Sequence, residues 1–276
     1  MGVPVLLRCT LKGAALALGV GLLLGSAGRA LANGRFPNAQ QVREPSENAL
    51  VVAATYGLLS TTNGGRDFAW LCEAEIFGQN PGGSVMDPLL ELAPDGSILT
   101  GSREAVRASR DGGCSFETVT SLPRNWSFFE MAPPVGEVSG KIVDLCRRGA
   151  GSQAPVLALV ALLDADGFAH EHRIYEAVDG FVFSPIGAAI PRAMLALGFT
   201  FDAAPSDPNR IYLTGTVAND PILLVSADGA ESWESKKIDA DDAALALGAY
   251  VAGVSPTDPD RLYVRVPRRV DSVDGL

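Results

Sequence analysis

His170-Glu171-His172 places two imidazoles at i and i+2. On a strand that spacing turns both rings to one side, which supplies half of what a metal site needs. No third ligand accompanies them. The preceding Asp164-Ala165-Asp166-Gly167 reads as a loop running through to His172, so a solvated hairpin tip is the plainer expectation. Asn125-Trp126-Ser127 has the form of a glycosylation acceptor. Trp126, Phe128 and Phe129 form an aromatic cluster of a kind that can stack on sugar rings or pack between sheets.

A short recurring pattern says more about the elements that must position such groups. Ser109-Arg110-Asp111-Gly112-Gly113-Cys114-Ser115-Phe116 spells S-x-D-x-G-x-[S/T]-[F/W]. Thr61 to Phe68, with Asn63 and Gly65, and Ser226 to Trp233, with Asp228, repeat it with small substitutions. Glu176 to Phe183 keeps only the glycine and the aromatic. An Asp or Asn at the third position accepts hydrogen bonds from N–H groups two or more residues on. Glycine at the fourth or fifth position takes the positive φ of a tight hairpin. The first hydroxyl (Thr61, Ser109, Ser226) ties the turn to its strand, and the closing aromatic (Phe68, Phe116, Trp233) is expected to bury itself beneath it. All these residues, Gly113 and Asp111 included, are read as structural.

A second series runs out of phase with the first. Ser206-Asp207-Pro208-Asn209-Arg210-Ile211-Tyr212-Leu213 and Thr257-Asp258-Pro259-Asp260-Arg261-Leu262-Tyr263-Val264 are near copies, each a Pro/Asp turn leading into a strand. Weaker counterparts begin at Glu47, Pro94 and Gln153. The starts lie roughly 50 residues apart, the length of one four-stranded propeller blade. Two series sharing one period predict an all-β fold, a β-propeller of four-stranded antiparallel blades with about five blades present. The Ala-rich runs 193–199 and 243–249 have helix propensity, yet each precedes a repeat strand at a matching position. They are read as strands leading into a blade, with one helical turn at most.

The first pattern resembles the Asp box, or BNR repeat, of sialidase-like β-propellers, seen also in Vps10-type receptors and photosystem assembly factors. In sialidases the resemblance implies three arginines on the substrate carboxylate, a Tyr/Glu pair as nucleophile and base, and an Asp acid. Gly34-Arg35-Phe36-Pro37 matches that family's F-R-I-P-like motif as R-x-P without the preceding aromatic, which leaves Arg35 as the only catalytic candidate. Arg210 and Arg261 occupy the same place in two copies of a turn, as a structural role predicts. No Tyr/Glu pair stands out, and no cofactor motif is present. The expected function is therefore a ligand- or protein-binding or scaffolding module. The alternative is a sialidase-like glycoside hydrolase, which would gather several carboxylates and arginines at one mouth of the central channel.

Residues 1–32 read as an export signal. Arg8 and Lys12 form a basic start, Gly13 to Gly28 an apolar core short for a membrane span, and Ala30-Leu31-Ala32 a cleavage site before Asn33. The propeller then occupies residues 33–276 of a secreted or periplasmic protein with no membrane span after cleavage. Removing the signal takes away Arg8, Lys12 and Arg29 and no acid, so the formal charge moves from −10 to −13. Neither Lys nor Arg clusters along the chain, which argues against nucleic acid and anionic membranes. A protein or carbohydrate ligand is the expected partner, and cations stay open.

Export permits disulfides. Cys72 follows the first repeat turn and Cys114 lies inside the second, so a Cys72–Cys114 bridge would staple adjacent blades. With Cys146 the count is odd and the pairing stays open. The last strand motif, Arg261 to Val266, has no turn of the first kind after it. The C-terminal blade is therefore expected to be incomplete. Either the chain is cut short or its last blade closes against the strand around Val51, and an unclosed blade would leave a sheet edge open to association. Mass spectrometry of protein recovered from an exporting host should find Asn33 at the N-terminus; an exported chain still starting at Met1 would defeat the signal assignment.

Overall fold

A computed structural model describes residues 39–77, 87–126, 137–218, 220–238 and 248–266. Residues 1–32, expected to be an export signal, and Arg35 lie outside them. Alternating apolar runs between Gly- and Asp-containing turns give four antiparallel four-stranded sheets and a two-stranded fifth. The first blade is β1 (Ala39–Ser46), β2 (Ala49–Ala54), β3 (Gly57–Thr61) and β4 (Ala69–Cys72), followed by the short helix α1 (Glu73–Phe77). The second is β5 (Leu89–Leu92), β6 (Ile98–Gly101), β7 (Val106–Ser109) and β8 (Glu117–Thr118). The third is β9 (Gly140–Arg147), β10 (Val156–Leu163), β11 (Ala169–Ala177) and β12 (Ser184–Pro191). The fourth is β13 (Leu197–Ala204), β14 (Asp207–Val217), β15 (Asp220–Ser226) and β16 (Glu234–Lys237), and β17 (Tyr250–Val254) pairs with β18 (Leu262–Arg265).

The first strand of each blade packs against the first strand of the next, β1 on β5, β5 on β9, β9 on β13 and β13 on β17. These inner strands surround a central channel, so the fold is a β-propeller, of which the described residues form four four-stranded blades and two strands of a fifth. The turns of the second series connect first and second strands. The turns of the first series connect third and fourth strands and lie on the same face. Val51 sits within β2, paired to β1 on one side and β3 on the other, and is not available to close a final blade. Among the described residues no helix is long and apolar enough to cross a membrane.

The core lies in the seams between blades. Leu58, Ile76 and Leu90 fill the first seam, Leu99, Ile142 and Val160 the second, and Leu159, Leu195 and Leu213 the third. Burial of such side chains contributes roughly 1.5–3 kcal/mol each. The closing aromatics of the repeat turns enter these seams. Phe116 packs on the first, Phe183 on the second and Trp233 on the third, each against the blade that precedes its own. Phe68 departs from the expected burial at 47% exposed. It belongs to the first blade, and no preceding blade covers it among the described residues. Trp70, at 60% exposed, is on the same blade.

The repeat turns are closed by side chains as the residue types require. Ser109 Oγ donates to Asp111 Oδ1 at 2.8 Å and accepts the Gly113 N–H at 2.7 Å, while Asp111 accepts both the Ser115 N–H and its hydroxyl. Ser226 and Asp228 do the same for Ala230 and Ser232, while Thr61 and Asn63 accept the Gly65 and Asp67 N–H groups and Asn63 Nδ2 donates to the Asp67 carboxylate at 3.0 Å. Even the degenerate turn keeps the acceptor, since Asp179 takes the N–H groups of Phe181 and Val182. Gly113 has φ +98°, and a Cβ there would stand 2.5 Å from Leu71 Cδ1. That close approach has a consequence for the cysteines. Successive strand residues face opposite ways, so the contact of Leu71 with Gly113 turns the Cys72 side chain away from the turn that carries Cys114. Cys72 is a free thiol, as is buried Cys146, and the Cys72–Cys114 bridge is not formed. The Ala-rich run 193–199 is a short turn entering β13, and most of 243–249 lies outside the described residues.

Replacing Ser109 with Ala leaves the buried Gly113 N–H without its acceptor and should cost about 1–3 kcal/mol. This would appear as a lower urea midpoint at constant m value; an unchanged midpoint would show that the turn does not hold the fold.

Candidate functional site

The inner strands β1, β5, β9, β13 and β17 line a cavity of about 920 Å³ that opens on the face opposite the repeat turns. A second cavity of about 260 Å³ opens on the turn face, lined by Leu92, Arg147, Gly149 and Pro205 among others. Arg43, Cys146 and Asp202 line both and so form the waist of the channel.

The waist is charged. Glu91 of β5, 1% exposed, lies between two guanidinium groups. Arg43 Nε of β1 is 3.0 Å from one carboxylate oxygen and Arg147 Nε of β9 is 3.2 Å from the other. Arg43 Nε and the Leu92 N–H, at 3.0 Å and 2.8 Å, donate hydrogen bonds to the carboxylate, and Arg147 completes the site as an ion pair. One strand further round, Asp144 accepts the Leu145 N–H at 2.9 Å and, across the seam, the Phe201 N–H at 3.2 Å. Burial pushes its pKa up to about 7, against the pull of those two donors; the Asp202 charge adds to the rise and Arg43 opposes it. Asp202 is raised to about 6, again chiefly by burial, with the Ala203 N–H and Arg43 opposing. Burial also holds the Cys146 thiol well above its usual range, assisted by Asp202, Asp144 and Glu91.

The wide mouth is of different character. Val42, half exposed, and Leu89, Phe199 and Tyr250 line it. The Phe199 and Tyr250 rings lie 5.3 Å apart, and the Arg265 guanidinium stands 5.3 Å above the Tyr250 ring. Gln40, Gln41, Arg103 and Thr200 stand among them, and a lining that mixes apolar and polar groups suits reversible binding of an amphipathic ligand.

The residues singled out in the sequence fall elsewhere. Thr61, Asn63, Asp111, Asp228 and their partners sit in turns on the narrow face. Arg210 ion-pairs with Asp260 of the next turn and Arg261 with Asp258, so both arginines link turn residues. The two histidines separate. β11 begins at Ala169, so the loop ends earlier than expected. A register skip between Leu162↔Glu171 and Leu163↔Ala169 leaves His170 exposed while His172 is fully buried. Among the described residues no group of His, Cys, Asp and Glu is arranged to hold a metal ion. Asn125 is buried at 5% exposure, and Ser127 lies outside the described residues. Trp126 is packed under the Arg124 guanidinium, and Phe128 and Phe129 lie outside the described residues. Sequence reasoning missed Arg43, Glu91, Asp144, Arg147 and Asp202. A faint mark exists for two of them: Glu91 and Asp202 each stand three residues before the turn proline, Pro94 and Pro205.

The raised acids have a measurable consequence. A carboxyl group whose pKa is higher in the folded state binds its proton more tightly there. The stability it confers is full below about pH 4 and is lost as the pH rises through the folded value, here about 6 for Asp202 and about 7 for Asp144. The melting temperature should fall between about pH 4 and 7, and Asp202→Asn should make that fall shallower. Parallel curves for the two proteins would refute the assignment.

No protein-family model and no curated protein matches the chain. Solved structures do. The GH74 xyloglucanase from Xanthomonas campestris is 13% identical, with a TM-score of 0.50 over 83% of this chain and 35% of its own. A GH74 enzyme from Niastella koreensis is 20% identical, with a TM-score of 0.48 over 72% of this chain and 29% of its own. YCF48 bound to D1 peptide is 14% identical, with a TM-score of 0.37 over 84% of this chain and 75% of its own. The chain spans about a third of the length of the GH74 enzymes it matches. At these identities the likeness is one of fold, that of a β-propeller.

Proposed function

We propose that the protein is an exported propeller that binds a protein or carbohydrate ligand at the wide mouth of its channel and performs no hydrolysis there. The observation carrying this reading is that the charged groups at the waist are engaged with one another. Glycosidases need two carboxyl groups free to approach a glycosidic bond from either side. Glu91 is out of water between Arg43 and Arg147, and both Asp144 oxygens accept backbone N–H groups. The mouth presents Val42, Leu89, Phe199 and Tyr250 among Gln40, Gln41, Arg103 and Arg265, a concave lining that mixes apolar surface with polar groups able to orient a ligand.

One observation favours hydrolysis as a second reading. Asp144 and Asp202 stand on adjacent inner strands with pKa values raised to about 7 and about 6, and acid/base pairs are made from carboxyls in such unequal surroundings. The similar folds include a xyloglucanase and a microbial sialidase, so xyloglucan and a fluorogenic sialoside are the substrates to test. Neither should be turned over above background. A photo-crosslinker placed at Val42, on the wide mouth, should capture a partner that one at Ser206, on the turn face, does not. Turnover abolished by Asp202→Asn would overturn the binding reading in favour of the enzyme.

A further inference from the structure

Beside the channel, whose wide-mouth cavity shares Arg103 and Val143 with it, a pocket of about 210 Å³ lies where the β10–β11 hairpin meets the entry to β13. His172 forms part of its wall. The ring is fully buried, and neither nitrogen has a hydrogen-bond partner among the described residues. Burial depresses its pKa to about 4, with the nearby Leu195 carbonyl weakly opposing without reaching hydrogen-bond geometry. The imidazole is therefore neutral and keeps one donor and one acceptor unused. Buried polar groups are almost always hydrogen-bonded, and one left over calls for an explanation.

The rest of the lining supplies one. Arg103, Lys141 and Arg192 all border the pocket, and no Asp or Glu does. In a chain of formal charge −10 that is a local reversal of sign. None of the three cations has an ion pair among the described residues; Arg192 stands 5.7 Å over the Phe168 ring. Between cations and imidazole the walls are apolar, with Ala161, Leu163, Phe168 and Leu197. A dry cavity of about 150 Å³ holds benzene, so the larger space here takes an aromatic ring or a six-carbon chain with a carboxylate attached.

We propose that this pocket binds a small organic carboxylate with an aromatic or aliphatic body, its charge among Arg103, Lys141 and Arg192 and its body against Leu163 and Leu197. His172 then meets a polar atom of the ligand at the inner end. The site is separate from the channel waist and does not depend on the reading of the channel mouth.

Benzoate is the probe, with benzyl alcohol as its neutral counterpart. The chain has two histidines, so a His170→Gln background leaves His172 as the sole imidazole resonance in a proton NMR spectrum. Benzoate should shift that resonance saturably and bind about tenfold tighter than benzyl alcohol, since a charge-assisted contact exceeds a neutral one by about that factor. Lys141→Gln and Arg192→Gln change solvent-accessible side chains and should each weaken benzoate several-fold while leaving benzyl alcohol unaffected. A His172 resonance unmoved by benzoate, equal binding of the two probes, or benzoate affinity indifferent to both substitutions would each overturn the proposal.

Discussion

Glu91 is held almost wholly out of water by two guanidinium groups that come from different blades. A buried carboxylate is tolerated only when its charge is matched and its lone pairs are filled, so β1, β5 and β9 must meet at one level for the group to exist. Asp144 continues the arrangement by accepting a backbone N–H from β13. Side chains and main chain of four inner strands are therefore interlocked around the axis. The apolar seams can be packed in many ways, but this polar girdle accepts one register only.

The same demand bears on function. A propeller channel lined by acids and arginines invites a catalytic interpretation until the partners of each oxygen are counted. Here the counting leaves Asp202 as the acid, of Glu91, Asp144 and Asp202, that is not fully buried, with mixed apolar and polar surface above it. Binding groups and structural groups sit a few residues apart on the same strands, and burial separates them.

The fold was largely legible in the sequence because hairpin chemistry is local. Ser109, Asp111 and Gly113 need only each other to close their turn, so the pattern survives in print and its spacing gives the blade length. The channel was not legible for the opposite reason. Arg43, Glu91 and Asp202 come together from strands about 50 residues apart or more, on segments whose alternation looks like that of any half-buried strand. His172 was misplaced by a single extra residue in the ladder, which sent His170 to solvent and His172 into the interior. Phe68 was expected inside because its turn is complete. What buries such a ring is the neighbouring blade, which local sequence does not reveal.

The direction in which the aromatic plugs point has a consequence for how the molecule is made. Phe116, Phe183 and Trp233 each reach back to the seam shared with the blade before their own. A chain emerging from its N-terminus therefore brings, with every new blade, the side chain that seals the previous joint. Contacts of this nearest-neighbour kind let assembly advance one repeat at a time. At any stage of synthesis a single joint awaits its seal, always the one nearest the growing end, and the apolar surface exposed to premature association stays small however long the nascent chain becomes.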